Sequence, residues 1–356
     1  MQQSLRVSDS PVTIRPARPL LPWSYERFVA EVVRCMDRCV AYAATGTLRH
    51  VLEEHLATGG KRVRVTLIYD LAVAMGVNPA DCVEVAAACE LLHNATLIHD
   101  DLQDRDKTRR GKPTVWAQHG DDQAINAGDI MLMLPFTALA EAKLPPAVRV
   151  ALVRTLSVRA AATACGQSAE QLMLSQLKLA WDDWREAAAG KTGQIFAIPF
   201  EAIALLTGVA PAAARRVGDV ATGLGVVFQA ADDVLDLYGD KGRERPGNEL
   251  REGRVTALVT AHLGANTDDE RALVGLLAQP RQTTTDEQVQ RWADRFVERG
   301  TLTQIQQQVT EEIDALKRIT VPECAELSSC MVNMATRLAT PLHQLCDAAE
   351  GARSEM

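Results

Sequence analysis

The chain is poor in aromatics: six Phe, five Trp and four Tyr make up 4% of 356 residues. Its core must therefore be aliphatic, built chiefly from Ala and Leu. Long apolar runs are missing, and none approaches the roughly 18 residues of a spanning helix, so no membrane span is expected. There is no basic surplus either. Asp and Glu number 46 against 38 Lys and Arg, a net charge of −8. That excludes the basic stripe of a nucleic-acid binder and makes an anionic membrane surface a poor partner. Glycine (22) and proline (15) are sparse enough to favour long helices over many short strands. Eight cysteines in so long a chain do not form a disulfide framework. Cys35, Cys82, Cys89, Cys165 and Cys346 sit in helical apolar patterns and are expected as buried free thiols, which points to a reducing, cytoplasmic setting. Residues 1–22 carry Arg6, Arg15, Arg18 and several prolines with no apolar core segment, so no secretory leader is read there.

What is present is 47% hydrophobic and 24% charged, the balance of a globular protein with a sizeable core. Residues 1–24 read as an irregular arm. From residue 25, Phe28, Val29, Val32, Val33 and Met36 recur at helical spacing. Gly59-Gly60 interrupts, 61–75 is again amphipathic, and 80–104 is a long apolar-rich helix. Lys107–Gly111 reads as a charged loop. Helical patterns follow over 121–142, 148 to about 180, 182–208 and 211–238, then a Gly- and charge-rich loop over 239–254. No segment sustains period-two alternation and no linker divides the chain. The expectation is an all-α fold, one domain over 25–350, with the 80–104 and 211–238 helices central.

The most informative pattern is Asp100-Asp101-Leu102-Gln103-Asp104. On a helix, positions i, i+1 and i+4 project from neighbouring sites on one side. Three carboxylates closing an apolar helix repel one another unless a cation neutralises them. An all-oxygen set suits Mg²⁺, which keeps waters and bridges to phosphates. The arrangement recurs at Asp232-Asp233-Val234-Leu235-Asp236, again closing an apolar helix. One such triplet is more often a solvated face, and Asp182-Asp183-Trp184-Arg185-Glu186 reads as that, an acidic helix start. Two triplets, each followed by basic residues, shift the reading to metal. Arg109 and Arg110 follow the first. Gly59-Gly60-Lys61-Arg62-Val63-Arg64 is a second basic turn with Lys61 and Arg64 three apart. Such groups match phosphate oxygens. Lys191-Thr192-Gly193-Gln194 opens an apolar segment, where a lysine wants an anion or must snorkel.

Together, Gly-Gly-Lys-Arg-x-Arg, Leu-Ile-His-Asp-Asp-x-x-Asp, Arg-Arg-Gly-Lys-Pro-Thr, Asn126-Ala127-Gly128-Asp129, Lys-Thr-Gly and Phe-Gln-x-x-Asp-Asp-x-x-Asp resemble the trans-isoprenyl diphosphate synthases, or polyprenyl synthetases. The pattern is most similar to geranylgeranyl diphosphate synthases. The resemblance implies an all-α bundle around a deep central cavity, in a homodimer. It implies that Asp100, Asp101, Asp104, Asp232, Asp233 and Asp236 bind Mg²⁺, three ions per site, and through them an allylic diphosphate. It places Arg109 and Lys191 on that diphosphate with Thr192 and Gln229 nearby, and Lys61, Arg64, His93 and Arg110 on isopentenyl diphosphate. The implied reaction is head-to-tail condensation: the allylic C–O bond ionises, and the double bond of isopentenyl diphosphate attacks the cation. One departure stands out. Glu244 falls where the family carries a loop lysine, with Lys241 or Arg245 as substitutes, and Arg254 falls where a later lysine is usual.

Product length is expected to be read five residues before Asp100. There the residue is Ala95, beside Thr96, where short-chain members of the family carry an aromatic. The next layer would be Leu91 and Leu92, with Met131, Leu132 and Met133. Geranylgeranyl diphosphate is the expected product, and longer polyprenyl or farnesyl products the alternatives. A class I terpene cyclase would carry an Asn/Ser/Glu triad rather than a second aspartate triplet. A weak partner subunit of a heteromeric synthase usually loses the first triplet, which is intact here.

Overall fold

The computed structural model describes residues 23–60, 62–239 and 246–354. It is 82% helical, so the all-α expectation holds. The only strands among the described residues are two-residue partners in a hairpin, β1 (Thr108–Arg109) and β2 (Lys112–Pro113). The helices are α1 (Tyr25–Ala43), α2 (Gly46–Leu56), α3 (Val63–Ala74), α4 (Val83–Asp104), α5 (Val115–His119), α6 (Asp121–Glu141), α7 (Pro146–Leu172) and α8 (Trp181–Ala188). A π-helical turn (Ala189–Gly193) joins α8 to α9 (Gln194–Leu206). Then come α10 (Pro211–Tyr238), α11 (Asn248–Arg251), α12 (Ala257–Ala265), α13 (Glu270–Leu277), α14 (Asp286–Glu298), α15 (Thr301–Arg318) and α16 (Ala325–Ser354). Most of the residues expected in the N-terminal arm lie outside the described residues. Ser24 caps α1, its hydroxyl accepting the Arg27 N–H.

The described chain forms two compact units. The first holds residues up to Arg159, Ala197–Asp219 and Val321–Leu327; the second holds Ala160–Phe196, Val220–Thr320 and Ser328 onward. In the first unit, α4 packs most extensively against α6 and also against α1 and α3. Ala86, Ala87, Leu91, Ala95 and Ile98 of α4 are all but inaccessible. Arg159, 5% exposed, is ion-paired with buried Glu201 and with Asp219, and Thr155 donates to the other Glu201 oxygen at 2.6 Å. In the second unit, α12 packs on α15 and α8.

Several elements differ from the sequence reading. The helix expected to reach about 180 stops at Leu172, and the chain turns over 173–177. The expected 182–208 helix is interrupted by the π turn. The 239–254 segment contains the short helix α11, while 240–245 lies outside the described residues. The charged loop after α4 closes as the hairpin, with Arg110 and Gly111 both at positive φ (54° and 74°) in its turn. That matches the right-handed twist of paired strands. The acidic run at Asp182-Asp183 is indeed a helix start. Cys165 is exposed, unlike the other four cysteines named above, because it falls on the outer face of α7.

Candidate functional site

In the first unit, the aspartate triplet ends α4. Asp100 and Asp104 are half-buried and Asp101 is 2% exposed. The helix is stopped by Arg105 in a left-handed conformation (φ 57°), whose N–H returns to the Asp101 carbonyl. The Asp101 carboxylate is held by Arg109 of β1, whose Nε and Nη2 both reach Oδ1, at 2.7 and 2.6 Å. Burial pushes the Asp101 carboxyl up to about 6, with Arg109 pulling it back. The Asp106 carbonyl accepts both the Thr114 hydroxyl and the Trp116 indole N–H, fixing the loop that carries the hairpin.

The hairpin turn presents Arg110 to the Gly59-Gly60 bend. A Cβ on Gly60 would lie 2.7 Å from the Arg110 guanidinium, so the second glycine leaves room for that group. Two basic motifs far apart in sequence are thereby neighbours. Arg62, Arg105 and Arg110 all have left-handed backbones, a conformation costing a non-glycine residue about 1 kcal/mol. Glu90, 6% exposed and not singled out by the sequence, lies in the field of Arg64, Arg62 and Arg110. Burial raises its pKa and those arginines oppose the rise. His93 is driven well below its ordinary pKa by burial first and then by Arg64, Arg110 and Arg109. It is a neutral ring, a hydrogen-bonding group rather than a cation. His55 bonds Asn94 Oδ1 at 3.1 Å, and Asn94 donates to the Glu90 carbonyl at 2.8 Å. Lys61 lies outside the described residues, as do Lys241, Glu244 and Arg245.

His99, beside the triplet, rests on Gly128 of α6: a Cβ there would stand 2.1 Å from His99 Nε2. The same nitrogen is 3.6 Å from Asp129. This gives the Asn-Ala-Gly-Asp segment a physical reason. Ala95 is fully buried and Leu92 is 2% exposed, while the Thr96 hydroxyl turns back to the His93 carbonyl at 2.8 Å. Met131 is buried, but Met133 is 59% exposed. Met133 therefore does not line an interior path of this chain, because it lies on the outward side of α6, one residue from buried Leu134.

In the second unit, Asp233 and Asp236 are buried and Asp232 half-buried, at the end of α10. Asp233 accepts the Gln229 amide at 2.8 Å and the Ala257 N–H at 2.8 Å. Burial pushes its carboxyl well up. Asp236 accepts the Glu249 N–H at 3.1 Å. Lys191, in the π turn, finds the anion it needs in Glu170 at 2.6 Å, and Arg254 reaches the same oxygen at 2.9 Å. Thr192 meets Gln229 at 2.9 Å. The sequence reading missed Glu170. It also missed Glu249, which burial and then Asp236 push up to about 7.

The donor set tests the fit of a metal. Among the described residues no three His, Cys, Asp or Glu side chains close around one point. Mg²⁺ takes one or two carboxylate oxygens together with waters and substrate phosphate. All six triplet groups are hard oxygen donors, and each triplet has cations nearby for an anion: Arg109 and Arg110, then Lys191 and Arg254. The residues fit such ions.

A profile of the polyprenyl synthetase family matches residues 45–295. The chain is 31% identical over 338 residues to the (2E,6E)-farnesyl diphosphate synthase of Mycobacterium tuberculosis (strain H37Rv), covering 88% of this chain and 91% of that one. It is 33% identical over 235 residues to the geranylgeranyl diphosphate synthase of the same strain, covering 65% and 66%. The crystal structure of a polyprenyl synthetase from Streptomyces coelicolor A3(2) superposes with a TM-score of 0.74 at 26% identity, covering 88% and 98%. The chain belongs to the polyprenyl synthetase family, whose curated relatives are prenyl diphosphate synthases, transferases of prenyl groups.

Proposed function

We propose that the protein condenses isopentenyl diphosphate with an allylic diphosphate and stops at geranylgeranyl diphosphate. The carrying observation is Ala95, fully buried and lacking any aromatic bulk, five residues before Asp100 on α4. That is ~7–8 Å along the helix axis from Asp100. The farnesyl synthase likeness is the reason to test product length directly, since relatives carry both names.

In this reading Asp100, Asp101 and Asp104, with Asp232, Asp233 and Asp236, hold three Mg²⁺ ions. When bound, the ions neutralise the leaving diphosphate and so ease loss of the allylic C–O bond. Arg109 and Lys191 bind that diphosphate and add to the charge withdrawal. Lys61, Arg64, Arg110 and the neutral His93 hold isopentenyl diphosphate, His93 by hydrogen bonding alone. No side chain is asked to be a covalent nucleophile, and the final proton goes to the released pyrophosphate.

A homodimer is part of the proposal, supported by exposed Ile125 and Met133 on α6 and Val150 and Val158 on α7. So is a cytoplasmic setting, supported by eight free cysteines. No helix among the described residues is long and apolar enough to cross a membrane.

The test is incubation with labelled isopentenyl diphosphate, Mg²⁺ and each of dimethylallyl, geranyl and farnesyl diphosphate, with products sized by mass. A twenty-carbon main product supports the reading. Accumulation at fifteen carbons overturns the product assignment, and no elongation with any primer overturns the activity.

A further inference from the structure

We propose that Thr192 is a positioning residue: its hydroxyl fixes the Gln229 amide, and that amide in turn aims Asp233 of the second aspartate triplet. The inference deepens the Proposed function and rests on its assignment of that triplet to metal and diphosphate. It gives Thr192, which family likeness places near the allylic diphosphate, a role exerted through Gln229.

The backbone explains how one turn reaches two helices. The π turn Ala189–Gly193 holds one residue more than an α turn, so neighbouring side chains fan out differently. On one side it touches α7, where a Cβ on Gly166 would lie 2.2 Å from the Gly190 carbonyl carbon. On the other it touches α10, where a Cβ on Gly225 would lie 2.2 Å from the Gly193 nitrogen. Each contact is followed, four residues on along its helix, by a polar side chain that meets the turn. Glu170 meets Lys191 at 2.6 Å, and Gln229 meets Thr192 at 2.9 Å. Helical geometry stacks i and i+4 on one face, so the glycine approaches set both polar contacts at once.

The hydrogen-bond inventory then fixes every direction in the chain. Asp233 Oδ2 accepts the Ala257 N–H, a group that can only donate. Asp233 Oδ1 takes the Gln229 amide nitrogen at 2.8 Å. The Gln229 carbonyl is left facing Thr192, and a carbonyl can only accept, so the Thr192 hydroxyl donates. With Asp233 ionised, the state in which it can hold a cation, turning the amide over would set its carbonyl oxygen against a carboxylate oxygen. Without the hydroxyl, nothing holds the carbonyl in place, and Asp233, 3% exposed, loses the group that orients Oδ1.

The test compares Thr192→Val, Thr192→Ser, Gln229→Met and the Thr192→Val/Gln229→Met double variant in the full chain. Inorganic pyrophosphate with MgCl₂ is titrated calorimetrically, and the Mg²⁺ half-saturation of elongation is measured. Thermal melts confirm that each variant is folded. Loss of one buried hydrogen bond predicts about tenfold weaker pyrophosphate binding for Thr192→Val. A similar rise in Mg²⁺ half-saturation, near-normal behaviour of Thr192→Ser, and no further loss in the double variant beyond Gln229→Met are also expected. Additive losses would mean that Thr192 acts on the ligand independently of Gln229, and would overturn the proposal. So would a Thr192→Val protein matching the wild type, or a Thr192→Ser protein as impaired as Thr192→Val. If the wild-type chain elongates no primer, the calorimetric comparison still reads the relay, so the two proposals fail separately.

Discussion

Gly128→Ala should separate activity from stability. The alanine Cβ would stand 2.1 Å from His99 Nε2, against 3.4 Å for ordinary contact, a shortfall of 1.3 Å. The imidazole must swing away, and it belongs to the residue immediately before Asp100. Crowding of this kind costs about 1–3 kcal/mol. Alanine in place of glycine inside α6 returns roughly 0.5–1 kcal/mol through backbone entropy. Urea unfolding should therefore show a net loss of at most about 2.5 kcal/mol. Displacement of the segment that carries the proposed ligands by an ångström can cost on the order of 100-fold in turnover, so kcat/KM for elongation should fall far more than stability. Removing the ring removes the clash. In a His99→Ala background, adding Gly128→Ala should cost little, a coupling of at least about 1 kcal/mol. If Gly128→Ala costs the same activity with and without the His99 ring, or none at all, the seating of the triplet by this contact is refuted.

Ala95→Phe should shorten the main product by at least one isoprene unit, read by mass; an unchanged distribution would show that this position does not face the growing chain. His55, buried on Asn94, has its pKa lowered to about 4, chiefly by burial. The unfolded chain binds a proton near pH 6.5 that the folded protein refuses. The stabilising contribution is thus complete above about 6.5 and is lost as pH falls toward 4, about 3 kcal/mol in all. Unfolding free energies of His55→Gln should fall less steeply than those of the wild type over that interval, and parallel curves would contradict the burial argument. Arg159→Met leaves Glu201 buried with an uncompensated charge and should cost about 3–5 kcal/mol in denaturant unfolding, with KM values for both substrates unchanged.

Much of the fold was legible because the helices are strongly periodic. The apolar pattern of 211–238 matches α10 residue for residue. The triplets were legible because their spacing is a helix spacing. Their internal division was also available in principle. Residues i and i+4 are ~40° apart on a helix and i+1 is ~100° from i, so Asp101 and Asp233 had to point differently from Asp100 and Asp232. The π turn left only a faint trace: its extra residue shifts the helical phase by ~100°, but residues 195–206 are buried without a break, so no polar edge marks the shift. Glu170 was hidden for another reason. It sits in the polar run Gln167-Ser168-Ala169-Glu170-Gln171, and its partners Lys191 and Arg254 are brought to it only by packing. The Gly60–Arg110 and Gly128–His99 contacts were likewise unreadable, because each glycine is required by a side chain many residues away.

The π turn also bears on how the Lys191 and Thr192 contacts can be gained or lost. One residue of an α-helix corresponds to ~100° of rotation, so deleting a single residue from Ala189–Gly193 could restore regular helix pairing and swing Lys191 and Thr192 off their partners. Residues beyond the deletion would keep their own hydrophobic register only if they rotated as one body. A single-codon deletion is therefore a sharper lesion than most substitutions here, and a single-codon insertion into a plain helix is a short evolutionary route to the same arrangement.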